Sequence, residues 1–109
     1  MRDGIYQVLF TSNSGDEGQG LAVFKGSSVN GGDYGYTYTG EMQASGESFT
    51  VKLTVKRWNK QAKSIFGALD EFVLNLKGQE KGDGFSASGE VQGQSGQIQI
   101  QGTFITPAA

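Results

Sequence analysis

The side chains able to do chemistry in this chain are few, and two of the usual kinds are missing. There is no cysteine and no histidine. That removes thiol nucleophiles, disulfides, thiolate and imidazole metal ligands, and every Ser–His or Cys–His pair. Carboxylates, lysines, four tyrosines and one tryptophan remain. Asp16-Glu17 and Asp70-Glu71 are adjacent pairs, but neighbours on a strand point to opposite faces, so adjacency alone makes no glycosidase-type acid–base pair. Asp16, Glu17 and Asp33 lack the ligand spacing of an EF-hand. Gly15-Asp16-Glu17-Gly18-Gln19-Gly20 lacks the Gly-Lys-Ser/Thr ending of a phosphate loop and feeds a strand, where a phosphate cradle needs a helix N-terminus. The inventory points away from an enzyme, with no catalytic residues, cofactor or metal expected.

The side chains suited to binding are more concentrated. Residues 31–40 read Gly-Gly-Asp-Tyr-Gly-Tyr-Thr-Tyr-Thr-Gly. Tyr34, Tyr36 and Tyr38 alternate with Gly35, Thr37 and Thr39, the period of a strand, after a tight turn expected at Gly31-Gly32-Asp33. Tyrosines so placed either pack the core or supply a hydroxyl-tipped pocket or interface platform. Trp58 ends the longest expected strand, as a lid on the core or as an anchor at an interface or cavity mouth. Lys52, Lys56, Arg57, Lys60 and Lys63 gather around the same end, as a solvated face or a rim for an acidic partner.

The elements that must position these residues are strands. Residues 4–12 are β-rich and apolar on both faces, and residues 18–25 give a second strand with Leu21, Val23 and Phe24. A short piece at 28–30 precedes the tyrosine strand at 34–42. After a polar turn at 43–46, residues 47–58 alternate Phe49, Val51, Leu53 and Val55 against Thr50, Lys52, Thr54 and Lys56, a clean inside/outside signal. Residues 59–68 have no such period and fit a loop or one helical turn, with Ile65 and Phe66 plugging an end of the core. Further inward sets are Phe72, Leu74 and Leu76 within 69–79, then Phe85, Ala87, Gly89 and Val91. Ile98, Ile100, Gly102 and Phe104 close the series. Eighteen glycines against one proline read as turns, bulges and tight bends between strands.

Roughly eight strands at hairpin spacing make one all-β domain over 1–109, large enough to fold without metal or disulfide. An antiparallel up-and-down barrel accommodates so high a strand content by removing exposed edges, while the pattern alone leaves a β-sandwich open. The net charge of −2 disfavours direct nucleic-acid binding. No apolar run approaches the roughly 20 residues of a membrane span, and the opening residues carry no secretion-signal pattern, so the cytoplasm is the expected location.

Several short motifs follow one another in order: Asp3-Gly4-Ile5-Tyr6, Gly31-Gly32-Asp33, Tyr36-Thr37-Tyr38-Thr39-Gly40, Val55-Lys56-Arg57-Trp58-Asn59, Ser64-Ile65-Phe66-Gly67 and Asp70-Glu71-Phe72. In this order they resemble the GrlR-like family of small bacterial proteins, negative regulators of type III secretion, from Met1 to about Ile105. The resemblance implies an eight-stranded, lipocalin-like barrel that forms a homodimer and represses by holding a transcriptional activator, without catalysis. The acidic Glu-Asp-Glu-Asp loop that engages the activator in the named repressor is not reproduced. The matching stretch, Glu41-Met42-Gln43-Ala44-Ser45-Gly46-Glu47, has two carboxylates, so the resemblance leaves the partner's identity open.

Two functions are therefore expected. One is a cytoplasmic, homodimeric, protein-binding regulatory module, with Glu41, Met42, Glu47, Tyr34, Tyr36, Tyr38 and Trp58 as its partner surface. The other is a carrier or sensor that holds a small apolar ligand among Phe49, Val51, Leu53, Phe72, Leu74, Ile98 and Ile100. Within the second, a dry and fully packed core is the alternative.

Overall fold

Alternation of apolar and polar residues becomes, in three dimensions, a sheet with one face turned in on itself. A computed structural model describes residues 1–62 and 69–109. Its strands are β1 (Gly4–Ser12), β2 (Glu17–Lys25), β3 (Ser28–Gly32), β4 (Tyr36–Ser45), β5 (Ser48–Arg57), β6 (Glu71–Lys81), β7 (Gly84–Val91) and β8 (Gln97–Thr106). Each runs antiparallel to the next, and β8 returns to β1, closing an eight-stranded barrel. Closure excludes the sandwich, because no strand is left as an edge. The inward sets expected on β5 to β8 all face the interior, Gly89 and Phe104 less deeply than the rest.

The two ends of the barrel are built differently. At one, the closed end, the two-residue turns Gly26-Ser27, Gly46-Glu47 and Gly82-Asp83 join β2 to β3, β4 to β5 and β6 to β7. Their glycines have φ of 59°, 64° and 61°, and no described non-glycine residue has positive φ. A positive φ at the first turn residue alone fits type II′ turns, whose twist matches the flanking strands. At the other, open end the connections are longer, spanning residues 13–16, 33–35, 58–70 and 92–96.

The closed half is filled by rings. Tyr6 packs edge-on against Phe24 and Phe104, with centroids at 5.2 and 5.5 Å, while Phe85 lies 5.4 Å from Phe24 and 5.6 Å from Phe49. Two of these rings fit because glycines stand opposite them. Phe85 pairs across the sheet with Gly102, and Phe49 with Gly78. A Cβ on either glycine would fall within the opposing ring. Part of the glycine excess is therefore space for aromatic side chains rather than turn chemistry.

Several boundaries differ from those expected. Gly31 and Gly32 lie within β3, paired with Ala22 and Leu21 on one side and with Tyr38 and Thr37 on the other. A side chain on Gly31 would strike the Leu21 carbonyl, so glycine here permits close strand approach, and the turn falls at 33–35. Tyr34 consequently leaves the strand. Residues 43–45 extend β4, so the polar turn contracts to Gly46-Glu47. β6 starts at Glu71 rather than Leu69 and continues to Lys81. The helical turn considered near 60–68 meets a hydrogen-bonded turn at Lys60 and Gln61. Its remainder, with Lys63, Ser64, Ile65 and Phe66, lies outside the described residues. No described residue is helical.

Filling the space that Gly102 leaves for Phe85 should overpack the closed half. Gly102→Ala is expected to cost about 1–3 kcal/mol, read from the urea midpoint at unchanged slope. Combined with Phe85→Leu, which shortens the opposing side chain, the two losses should sum to less than their separate values. Full additivity would show that the ring does not depend on that glycine.

Candidate functional site

Asp33, in the turn between β3 and β4, ties the open end together. One carboxylate oxygen accepts the backbone N–H groups of Gly35 and Tyr36, both at 2.8 Å, a local turn-closing arrangement that aspartate favours. The other accepts the Tyr38 hydroxyl. The Asp33 carbonyl accepts the indole N–H of Trp58 at 3.1 Å. The Gly35 carbonyl accepts the backbone N–H groups of Trp58 and Asn59 at 2.9 and 3.3 Å, and the Asn59 side-chain amide donates to the Tyr34 carbonyl at 3.2 Å. Gly35 makes this close approach possible, since a Cβ there would sit 2.5 Å from Ala62 Cβ. The Arg57 guanidinium pairs with the Asp70 carboxylate and donates to the Ala62 carbonyl at 3.3 Å. Residues 33–38, 57–62 and 70 thus meet in one polar knot.

Two tyrosines carry the knot into the interior. The Tyr38 ring is buried, edge-on to Phe10 at 5.5 Å. Burial pushes its pKa far up, and the hydrogen bond to the Asp33 carboxylate and that group's charge push in the same direction. Tyr38 is therefore held as a neutral donor to an acidic acceptor, a charge-assisted bond stronger than a neutral one. Tyr36 rests against Phe72, with centroids 6.2 Å apart, and its hydroxyl donates to the Leu69 carbonyl at 3.2 Å.

Inside the knot lies a cavity of about 380 Å³, opening at the mouth. Its described walls are the rings of Phe10, Tyr36, Tyr38 and Phe72 and the aliphatic side chains of Leu53, Val55, Leu74, Ile98 and Ile100, with Glu17, Gln19, Asp33, Tyr34 and Gln61 around the opening. The closed half retains only about 30 Å³ of void, roughly the volume of one water. The difference has a sequence cause. By strand parity the inward positions of β2 run from Gly18, which borders the cavity, to Ala22 and Phe24 toward the closed end, while the space beside Gly20 is taken by the Tyr38 hydroxyl. At about 380 Å³ the space is near the lower bound of small-molecule pockets.

Of the seven residues expected to line a cavity, Leu53, Phe72, Leu74, Ile98 and Ile100 do so, while Phe49 and Val51 belong to the packed half. Phe10, Val55, Tyr36, Tyr38 and Asp33 were not among them. Parity along β4 and β5 places three of these inward, but Asp33 could be found only from the turn it closes. The partner set divides. Tyr34 and Trp58 are 73% and 59% exposed at the open end. Tyr36, Tyr38 and Met42 are buried in the barrel, so they correct the expected surface: their strand parity turns them inward, away from any external partner. Glu41 and Glu47 are exposed, but Glu47 lies in the hairpin at the closed end. The ten residues of β4 separate it from the mouth, about 30 Å of strand. No single small patch holds both groups.

The lysines of β5 face carboxylates. Lys52 stands opposite Glu41 and Lys56 opposite Glu71, cross-strand pairs that make a solvated, charge-balanced face. Among the described residues no group of three or more potential ligands could hold a metal ion, and no helix is long and apolar enough to cross a membrane.

Removing the phenol that caps Asp33 should be felt in stability and in its pH dependence. Tyr38→Phe leaves a carboxylate oxygen without its donor, costing about 1–3 kcal/mol near neutrality. The folded pKa of Tyr38 lies above the ordinary 10.0, so its contribution is whole below pH 10 and declines as pH rises beyond it. Unfolding midpoints from pH 8 to 11.5 should fall more steeply above pH 10 for the native chain than for Tyr38→Phe. Parallel profiles would contradict the buried, bonded phenol.

A family model described as the type III secretion negative regulator GrlR matches residues 1–105. No curated protein matches the chain. The motifs at 31–40, 55–59 and 70–72 are those the knot and the cavity wall bring together.

Proposed function

The chain belongs to the GrlR family of type III secretion negative regulators, and from that premise we propose that it acts without catalysis, by holding a protein partner. The observation that carries this reading is how the polar groups of the open end are used. Asp33, Tyr36 and Tyr38 are committed to bonds within the knot. No buried side-chain nitrogen or oxygen among the described residues lacks a partner. A catalytic group needs a poised nucleophile or base, and here the candidates serve as structural donors and acceptors.

In this reading the partner is a transcriptional activator in the cytoplasm, the active species is a homodimer, and the activator is held on the outer surface of the closed half. Glu41 on the outer face of β4 and Glu47 in the following hairpin are the exposed carboxylates there that correspond to the family's acidic loop. The double variant Glu41→Lys, Glu47→Lys should lose partner capture when the tagged chain is purified from its host, with far-UV circular dichroism unchanged. Equal capture by the variant would remove this hairpin from the interface.

The cavity supports a second reading, a barrel that carries or senses a small apolar ligand. Gly18→Leu supplies the test, because a Cβ at Gly18 finds only ordinary contact, with Phe10 at 3.4 Å, and the longer side chain fills the space from its β2 wall. Native mass spectrometry of protein from its host should show a stoichiometric small molecule that this variant lacks. A native chain that carries none would count against the carrier.

A further inference from the structure

The walls of the cavity also constrain what could sit in it. Four aromatic rings, those of Phe10, Tyr36, Tyr38 and Phe72, border it. They lie in edge-on or tilted pairs, Phe10 with Tyr38 and Tyr36 with Phe72. Aromatic faces carry negative quadrupole and attract cations, most strongly where water is excluded. The charged side chains that border it among the described residues, Asp33 and Glu17, are both acidic. The nearby Arg57 guanidinium is paired with Asp70.

These features favour one sign of charge. A ligand carboxylate entering the mouth would lose its hydration beside Asp33 and Glu17, with no described lining cation to replace it. An ammonium entering there gains the attraction of both carboxylates, with polarizable aromatic rings nearby, while its hydrocarbon part contacts Leu53, Leu74 and Ile98. From this juxtaposition we infer that the cavity takes an apolar organic cation, with its hydrocarbon body inside the barrel and its ammonium head at the Asp33 mouth. The inference rests on the ligand-holding reading and adds the ligand's chemical class to it.

The test compares two probes of equal chain length, octyltrimethylammonium and octanoate, by calorimetry on the intact protein at low salt. Quenching or shift of Trp58 emission gives a second readout, since its indole is bonded at the mouth. The ammonium should bind at least tenfold more tightly than octanoate. Raising the ionic strength should narrow that ratio, because charge attraction is screened. Glu17→Gln, at the exposed start of β2, should narrow it several-fold while leaving the Asp33 bonds intact, and Gly18→Leu should abolish binding of both probes. Octanoate binding as tightly as the ammonium, or more so, would overturn the charge assignment and leave the hollow barrel standing. If neither probe binds, both readings fail together. A preference untouched by salt and by Glu17→Gln would also overturn the electrostatic assignment.

Discussion

Closing eight strands into a ring fixes how much interior there is to fill, and the rest of the structure follows from how each end fills it. In a barrel of this strand number the inward side chains of all strands share one narrow space. At the closed end large rings occupy it, and two of them have room because a glycine lies opposite: Phe85 over Gly102, Phe49 over Gly78. At the open end the inward residue of β2 is itself a glycine, Gly18, and the space beside it belongs to the cavity. Similar means thus produce a solid half and a hollow half.

A hollow end needs something to keep its shape, and the Asp33 knot supplies it. Three carboxylate-centred bonds brace the β3–β4 turn against the start of β4, and the Trp58 indole bond and the doubly accepting Gly35 carbonyl join that turn to the chain leaving β5. The motifs that mark the family therefore have a physical role in this chain. Gly31 and Gly35 allow backbones to approach, Asp33 and Tyr38 bond, and Trp58 and Asn59 latch. Their fixed order reflects one place in space reached from three places in the sequence. That place is also the mouth of the cavity, so any molecule that enters must pass the groups that hold the mouth together.

Much of the fold was legible because strand parity is a local signal. The runs Phe49-Val51-Leu53-Val55, Phe72-Leu74-Leu76 and Ile98-Ile100-Gly102-Phe104 face inward in the order read from the sequence. What a single strand cannot reveal is register against its neighbours. Gly31-Gly32 looked like a turn, yet pairing on both sides draws it into β3 and moves Tyr34 out into solvent. Met42 ends the strand expected at 34–42 and belongs to the expected partner surface, yet β4 runs three residues past it and its parity turns it inward. The cavity was hardest to foresee, since its β2 wall is Gly18, which has no side chain to show which face it occupies. Asp33 was visible as a turn residue, but its bond to Tyr38 depends on the strand that follows the turn curling back over it.

Membership in a family of secretion regulators and a barrel with space inside are compatible, because a protein that holds a partner on its outer face can also hold a small molecule within. The division into a solid half and a hollow half is the claim on which the site depends, and xenon tests it most directly, since dry apolar cavities take up the gas. Crystals of the native chain under xenon pressure should show the atom among Leu53, Val55, Phe72 and Leu74, and none among Phe24, Phe49 and Phe85. Xenon absent from the open half, or seated instead among the closed-half rings, would contradict the account.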